Sequence, residues 1–320
     1  MSNENRKRWR ACKLGDFFRV KHGYPFKSEH YTDEEGLVLL TPGNFQEEGG
    51  IKLKGQKEKF YDGEFPPEYL LRRGDMLVVM TDLIQNAPIL GSPAFVPEDN
   101  RFLHNQRLGK IVELKKNEIA ATFLFYLLNS RGVRSQIKGS ATGSTVRHTA
   151  PERIYKVDVE VPDIGTQRKI ASVLGAYDEL IENNRRRIEI LEEMARRLYR
   201  EWFVLFRFPG HAHVPFTDSP LGKIPKGWEV KTVKNAVSRL KSGTTYSQDT
   251  VESFGAVPVI DQSRDDFLGY HNREPDHIAS IDRPIIVFGD HTCKMQLMVE
   301  PFSIGPNVVL FEAKQDDMAI

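Results

Sequence analysis

The sequence predicts an α+β chain in which two globular blocks are joined by one long coiled-coil-forming helix, with the second block incomplete. Three observations point there. Short runs of branched apolar residues, separated by Gly, Pro and Asn, recur in both halves. A heptad seam of roughly 40 residues lies between them. The two halves also resemble each other, weakly but in the same order, as an internal duplication would leave them.

The length of 320 residues suits two domains. The first is expected over residues 1–163, with strands at 37–41, 76–81, 108–114 and 157–161. Residues 118–138 recur at helical spacing through Ile119, Phe123, Leu127 and Leu128, which predicts a helix there.

The long helix is expected over 164–208. From Ile170, alternating steps of four and three meet Leu174, Tyr177, Ile181, Asn184, Ile188, Leu191, Ala195, Leu198, Trp202 and Leu205. Val173, Leu180 and Met194 widen this apolar face beyond a two-stranded stripe, which predicts more than one partner helix. Asn184 either fixes register or is a polar residue tolerated near solvent. Asp163 or Thr166 can cap the start, and Pro209 with Gly210 stops the helix. At 1.5 Å per residue such a rod is ~60 Å long.

Residues 209–227, rich in Pro, Gly and small polar residues, read as a linker. Residues 228–320 read as the N-terminal part of the second block, with strands at 257–260, 284–288, 295–299 and 307–312. The duplication aligns 7–23 with 226–243, "MLVVMTD" with "PIIVFGD", and "KIVELK" with "VLFEAK". The second copy stops soon after the last match, so a further helix is expected beyond residue 320.

With 45 basic against 44 acidic residues, global charge does not advertise a nucleic-acid partner. The basic clusters "NRKRWR", "NNRRR" and "ARRLYR" fit solvated faces. Cys12 and Cys293 show no CxxC spacing, which argues against a disulfide framework or a zinc finger. Neither a signal peptide nor a membrane span is apparent, so a cytoplasmic protein is expected.

No phosphate loop, HExxH or GxSxG is present, and no catalysis is expected from this chain. His211 and His213 lie in the expected linker without a third ligand, and Asp290, His291 and Cys293 read as a strand end with incidental polar residues. The loop 138–154, "KGSATGSTVRHTAPERI", is richer. Its glycines and hydroxyls suit close approach to phosphates, and Arg147 and His148 offer donors for base edges. A polar turn before a short helix is the plainer reading.

Taken together, these stretches resemble the DNA-specificity subunit of Type I restriction-modification systems. The resemblance is carried by "VEVPDIGTQRKIASVLGAYDELIENNRRRIEILEEMARRLYREWF" and "DSPLGKIPKGWEV", and more weakly by "LGDFFRVKHGYPFKSEHY", "GDMLVVMTD" and "GSATGST". It implies two target-recognition domains, each reading half of a bipartite site in double-stranded DNA, held apart by long helices. It also implies methyltransferase subunits docked on those helices, which bind S-adenosylmethionine, and a restriction translocase-endonuclease subunit in the same complex. This chain is then a non-catalytic subunit with no cofactor of its own.

Carried over by position, the DNA-binding surface is expected at Tyr24, Lys27, His104, Asn105, Gln106, Arg107, Thr142, Ser144, Thr145 and Arg147, with Thr244, Thr245 and Tyr246 in the second block. Because the second block is incomplete, self-association through 166–206 is a further expectation. The rival reading is a coiled-coil scaffold without DNA readout.

Overall fold

The computed structural model describes residues 9–263, 265 and 267–314. Of the basic cluster at 5–10, residues 5–8 lie outside the described residues. The fold is α+β and divides into two compact units, Met1–Leu191 and Glu192–Ile320.

The first unit is built on two four-stranded sheets. One runs, in spatial order, Arg19–His22, Leu108–Val112, Met76–Val79 and Pro93–Phe95, antiparallel throughout. The other runs Tyr31–Thr32, Phe60–Tyr61, Leu37–Leu40 and Phe102–His104, its last pair parallel. Met76–Val79 shows why the sequence folds this way. Side chains alternate across a strand, so Leu77 and Val79 enter the core shared with Val38, Leu40, Phe102 and Leu108. Met76 and Val78 enter the core formed with Phe123, Leu124, Leu128 and Ile137. A strand buried on both faces carries an unbroken apolar run.

The helix expected over 118–138 is two helices, Ala121–Asn129 and Arg131–Gly139. Ser130 divides them with an extended backbone at ψ 145°. Its hydroxyl donates to the carbonyl of Leu127 at 2.7 Å, and its own carbonyl accepts from the Arg134 N–H. Periodicity does not register such a break, because the apolar stripe continues across it.

The long helix runs Ile164–Tyr199 and passes into a π-helical turn, Arg200–Val204. Asp163 caps it: its carboxylate accepts from the Thr166 N–H at 3.0 Å and from the Thr166 hydroxyl at 2.7 Å. The Thr166 hydroxyl, more than the backbone, holds this carboxyl below its usual range. One turn on, the Gln167 amide is buried. It donates to the carbonyls of Glu118 and Pro162, both at 2.9 Å, and accepts from the Ala120 N–H at 3.0 Å. Further along, the Tyr126 hydroxyl donates to Asp178 at 2.6 Å. These bonds fasten the base of the helix to the first unit.

In the second unit one sheet runs Val237–Arg239, Val308–Ala313, Ile285–Gly289 and Met295–Met298, all antiparallel. A three-stranded sheet runs Gly269–His271, Val257–Ile260 and Ser303–Ile304, its last pair parallel. The four-stranded sheet repeats the order and sense of pairing of its counterpart in the first unit, and the three-stranded sheet repeats the Phe60–Tyr61, Leu37–Leu40 and Phe102–His104 part of the other. The stretch expected as a linker carries an antiparallel hairpin, Phe216–Ser219 with Gly222–Pro225. Trp228 beyond it packs on Phe203, Phe206 and Phe208 with ring centroids 5.4–5.9 Å apart.

Candidate nucleic-acid interface

The first unit brings its three expected loops onto one backbone-bonded edge. Tyr24 donates its N–H to the His104 carbonyl at 2.8 Å and accepts from the Gln106 N–H at 3.0 Å. Gly23 permits this approach, since a Cβ there would sit 2.1 Å from the Asn105 oxygen. The Arg107 carbonyl accepts from Met80, and the Met80 carbonyl accepts from Thr149. Thr81–Asp82 then pairs with Arg147–His148, and His148 closes a small loop on Thr142 through two backbone bonds. Gly143 at the tip has φ 93°, and a Cβ would fall 1.9 Å from the Val146 oxygen.

Along this edge the expected residues divide by exposure. Lys27, Gln106, Arg107, Thr142, Ser144 and Thr145 are exposed, and Tyr24 is half-buried. His104 is fully buried, so it does not offer its ring to a ligand. Its Nε2–H donates to the Leu108 carbonyl at 2.9 Å, and burial pushes its pKa down to about 4, so the ring stays neutral. Asn105 is also buried, and its Oδ1 accepts from the Arg107 N–H at 3.0 Å. These two shape the turn that presents Gln106 and Arg107. Arg147 is half-buried, and its Nη2 donates to the Lys138 carbonyl at 3.0 Å. It braces the end of the helix Arg131–Gly139.

In the second unit Thr244 and Thr245 are exposed, but Tyr246 is buried and stacks on His271 at 4.4 Å and 9°. Its N–H donates to the Ile304 carbonyl at 2.9 Å, as Tyr24 does to His104.

The helix seam is placed differently from either edge. Ile170 is half-buried against the first core. From there on, Leu174, Tyr177, Ile181, Ile188, Leu191 and Leu198 are 39–63% exposed, Asn184 lies in the same exposed run, and Trp202 is half-buried. Val173, Leu180 and Met194 are exposed beside them. Among the described residues, no set of three His, Cys, Asp or Glu side chains could hold a metal ion, and no helix is long and apolar enough to cross a membrane.

A sequence profile of the Type I restriction modification DNA specificity domain matches residues 6–193, more than half of the chain. The chain belongs to this family. It is 31% identical over 149 residues to the Type I restriction enzyme MjaIX specificity subunit of Methanocaldococcus jannaschii, covering 47% of this chain and 34% of that protein. It is 29% identical over 202 residues to the HindI specificity subunit of Haemophilus influenzae, covering 62% of this chain and 41% of that protein. The match thus spans between a third and two-fifths of these curated relatives. A solved S subunit of a Type I restriction-modification system from M. genitalium superimposes with a TM-score of 0.61 at 17% identity, covering 96% of this chain and 73% of that one. The specificity-domain fold is therefore shared where sequence similarity is slight.

Sequence reasoning missed one exposed element of the edge. Leu83, Ile84, Gln85 and Asn86 follow directly on Asp82 and all face solvent. The available signal was a run of two apolar and two amide residues just past a strand-ending Asp, where the alternation of the strand lapses.

Proposed function

We propose that this chain is a non-catalytic, sequence-specific DNA-recognition subunit of a Type I restriction-modification complex, in which each unit reads half of a bipartite site and the long helix sets the gap. The observation that carries this reading is that a family member repeats one four-stranded sheet and three strands of a second, on the two sides in sequence of a 36-residue helix. The exposed edge of the first unit offers Gln106, Arg107 and hydroxyl side chains suited to base edges and phosphates. Dimer geometry sets half-site spacing in other DNA-binding proteins, and here helix length takes that part.

The exposed seam supports the second half of the reading, docking of methyltransferase subunits that bind S-adenosylmethionine, with the restriction subunit joining through them. An apolar stripe of this length is costly in water unless another helix covers it. The same stripe favours self-association through 166–206 as the alternative cover.

Affinity purification of the tagged chain from its host, with mass spectrometry of co-eluting proteins, separates the two. An adenine methyltransferase at stoichiometric yield is expected. The purified assembly should then enrich a bipartite motif from randomised duplexes, with affinity falling steeply between about 50 and 200 mM salt. Salt-independent behaviour without an enriched motif, in a chain recovered as a dimer, would establish the scaffold reading instead.

A further inference from the structure

We infer that the tip formed by Leu83, Ile84, Gln85 and Asn86 is a base-reading element of the first unit, contacting A·T pairs in the major groove. The inference rests on the DNA-recognition reading above and adds to it the residues and the base class.

The tip belongs to the exposed edge by construction. The strand that feeds it pairs with Arg147–His148, so it emerges beside the 142–148 loop. It is held rigid from below. Asp82 is 1% exposed, and its two carboxylate oxygens accept from the Ile84 N–H at 3.0 Å and the Ile89 N–H at 2.8 Å. The Ala87 N–H returns to the Ile84 carbonyl at 2.9 Å, and the Arg134 guanidinium donates to the Pro88 carbonyl at 2.5 Å. Ala87 itself sits at φ 48°, a left-handed conformation that fixes the exit.

On this base Leu83 and Ile84 stay 55% and 57% exposed, next to two exposed amides, while the Asp82 carboxylate beneath them is buried and taken up by backbone N–H groups. That combination matches one groove surface. Asn or Gln amides pair with the N6 and N7 edge of adenine, and aliphatic carbons pack on the thymine methyl.

The second unit supplies the comparison. In the aligned strands Asp82 corresponds to Asp290, and the same connection between the third and fourth strands of the sheet follows. It spans 80–92 in the first unit and 290–294 in the second, where His291, Thr292 and Cys293 are exposed. A common scaffold therefore carries tips of different length and chemistry, as two readers of different half-sites require.

The test is selection from a randomised duplex library by the full chain in its purified assembly, wild type against Gln85→Ala/Asn86→Ala and, separately, Leu83→Ser/Ile84→Ser. Each variant is first matched to wild type in melting temperature. The expected result is that preference at one or two adjacent A·T positions in one half-site falls roughly 5- to 150-fold, with the other half-site unchanged. Folded variants that enrich the wild-type motif at full strength overturn the assignment while leaving DNA recognition intact. A wild-type assembly that enriches no motif overturns both together.

Discussion

The two units share a sheet order and differ in what covers it. In the first, Met76, Val78 and Met80 point into a core closed by the helices Ala121–Asn129 and Arg131–Gly139. In the second, Val78 and Met80 align with Ile286 and Phe288, which are only half-buried. Met295 and Leu297, opposite Phe288 and Ile286 in the ladder and hence on the same face, are 69% and 62% exposed. Ile285 and Val287, on the other face, are buried as Leu77 and Val79 are. One face of the repeated sheet is thus closed in both units, while the other is covered by helices in the first and open among the described residues of the second. Sheet pairing alone does not make a closed core; the covering helices do.

The largest effect should come from the covered face. Met80→Ala removes a buried side chain from the core and is expected to cost about 2–5 kcal/mol. Phe288→Ala, at the aligned position, should cost clearly less despite the larger side chain. Urea unfolding of both variants reads the difference, and equal losses would mean that the second face is covered in solution.

Acid sharpens the contrast next. His104 and Ile304 occupy equivalent places, each accepting through its carbonyl from a tyrosine N–H. Burial lowers the His104 pKa to about 4, so the unfolded chain binds the proton first. The native state keeps its full stability above the ordinary histidine range, near 6.5, and loses up to about 3 kcal/mol as pH falls through 4. His104→Ile, copying the second unit, should abolish that slope when stability is followed against pH.

Gln167→Leu is expected to have a smaller effect, about 2 kcal/mol, by leaving the Ala120 N–H and two carbonyls without their partner. Its signature should be faster amide exchange at the helix base and at Ala120, with the sheets unaffected. Unchanged exchange there would remove Gln167 as a fastening point.

Much of this comparison was legible in the sequence. The unbroken apolar runs "MLVV" and "VPVI" mark strands, and the aligned stretches "MLVVMTD" and "PIIVFGD" hold equivalent strands of the two four-stranded sheets. Strand order was not legible, because pairing joins residues far apart in the chain. The break at Ser130 was hidden by a continuous apolar stripe. Among the candidate site residues, Gln106, Arg107, Thr142, Ser144 and Thr145 are exposed. His104, Asn105 and Tyr246 are not, because residue type suggests surface while a buried turn or stacked pair can satisfy the same groups locally. Arg147 is a further case: as a donor it suits a base edge, and here it is engaged in bracing a helix end.

The central proposal is that each unit reads one half-site and that the length of the helix between them in sequence sets the gap between the half-sites. The most direct test compares the motif selected from randomised duplexes by the purified assembly with that selected after four residues are inserted following Asn184. Four residues lengthen a helix by ~6 Å, close to two base-pair steps at ~3.4 Å each. Both half-site sequences should persist, with the gap between them changed by about one to two base pairs. The same gap at full affinity would contradict the account.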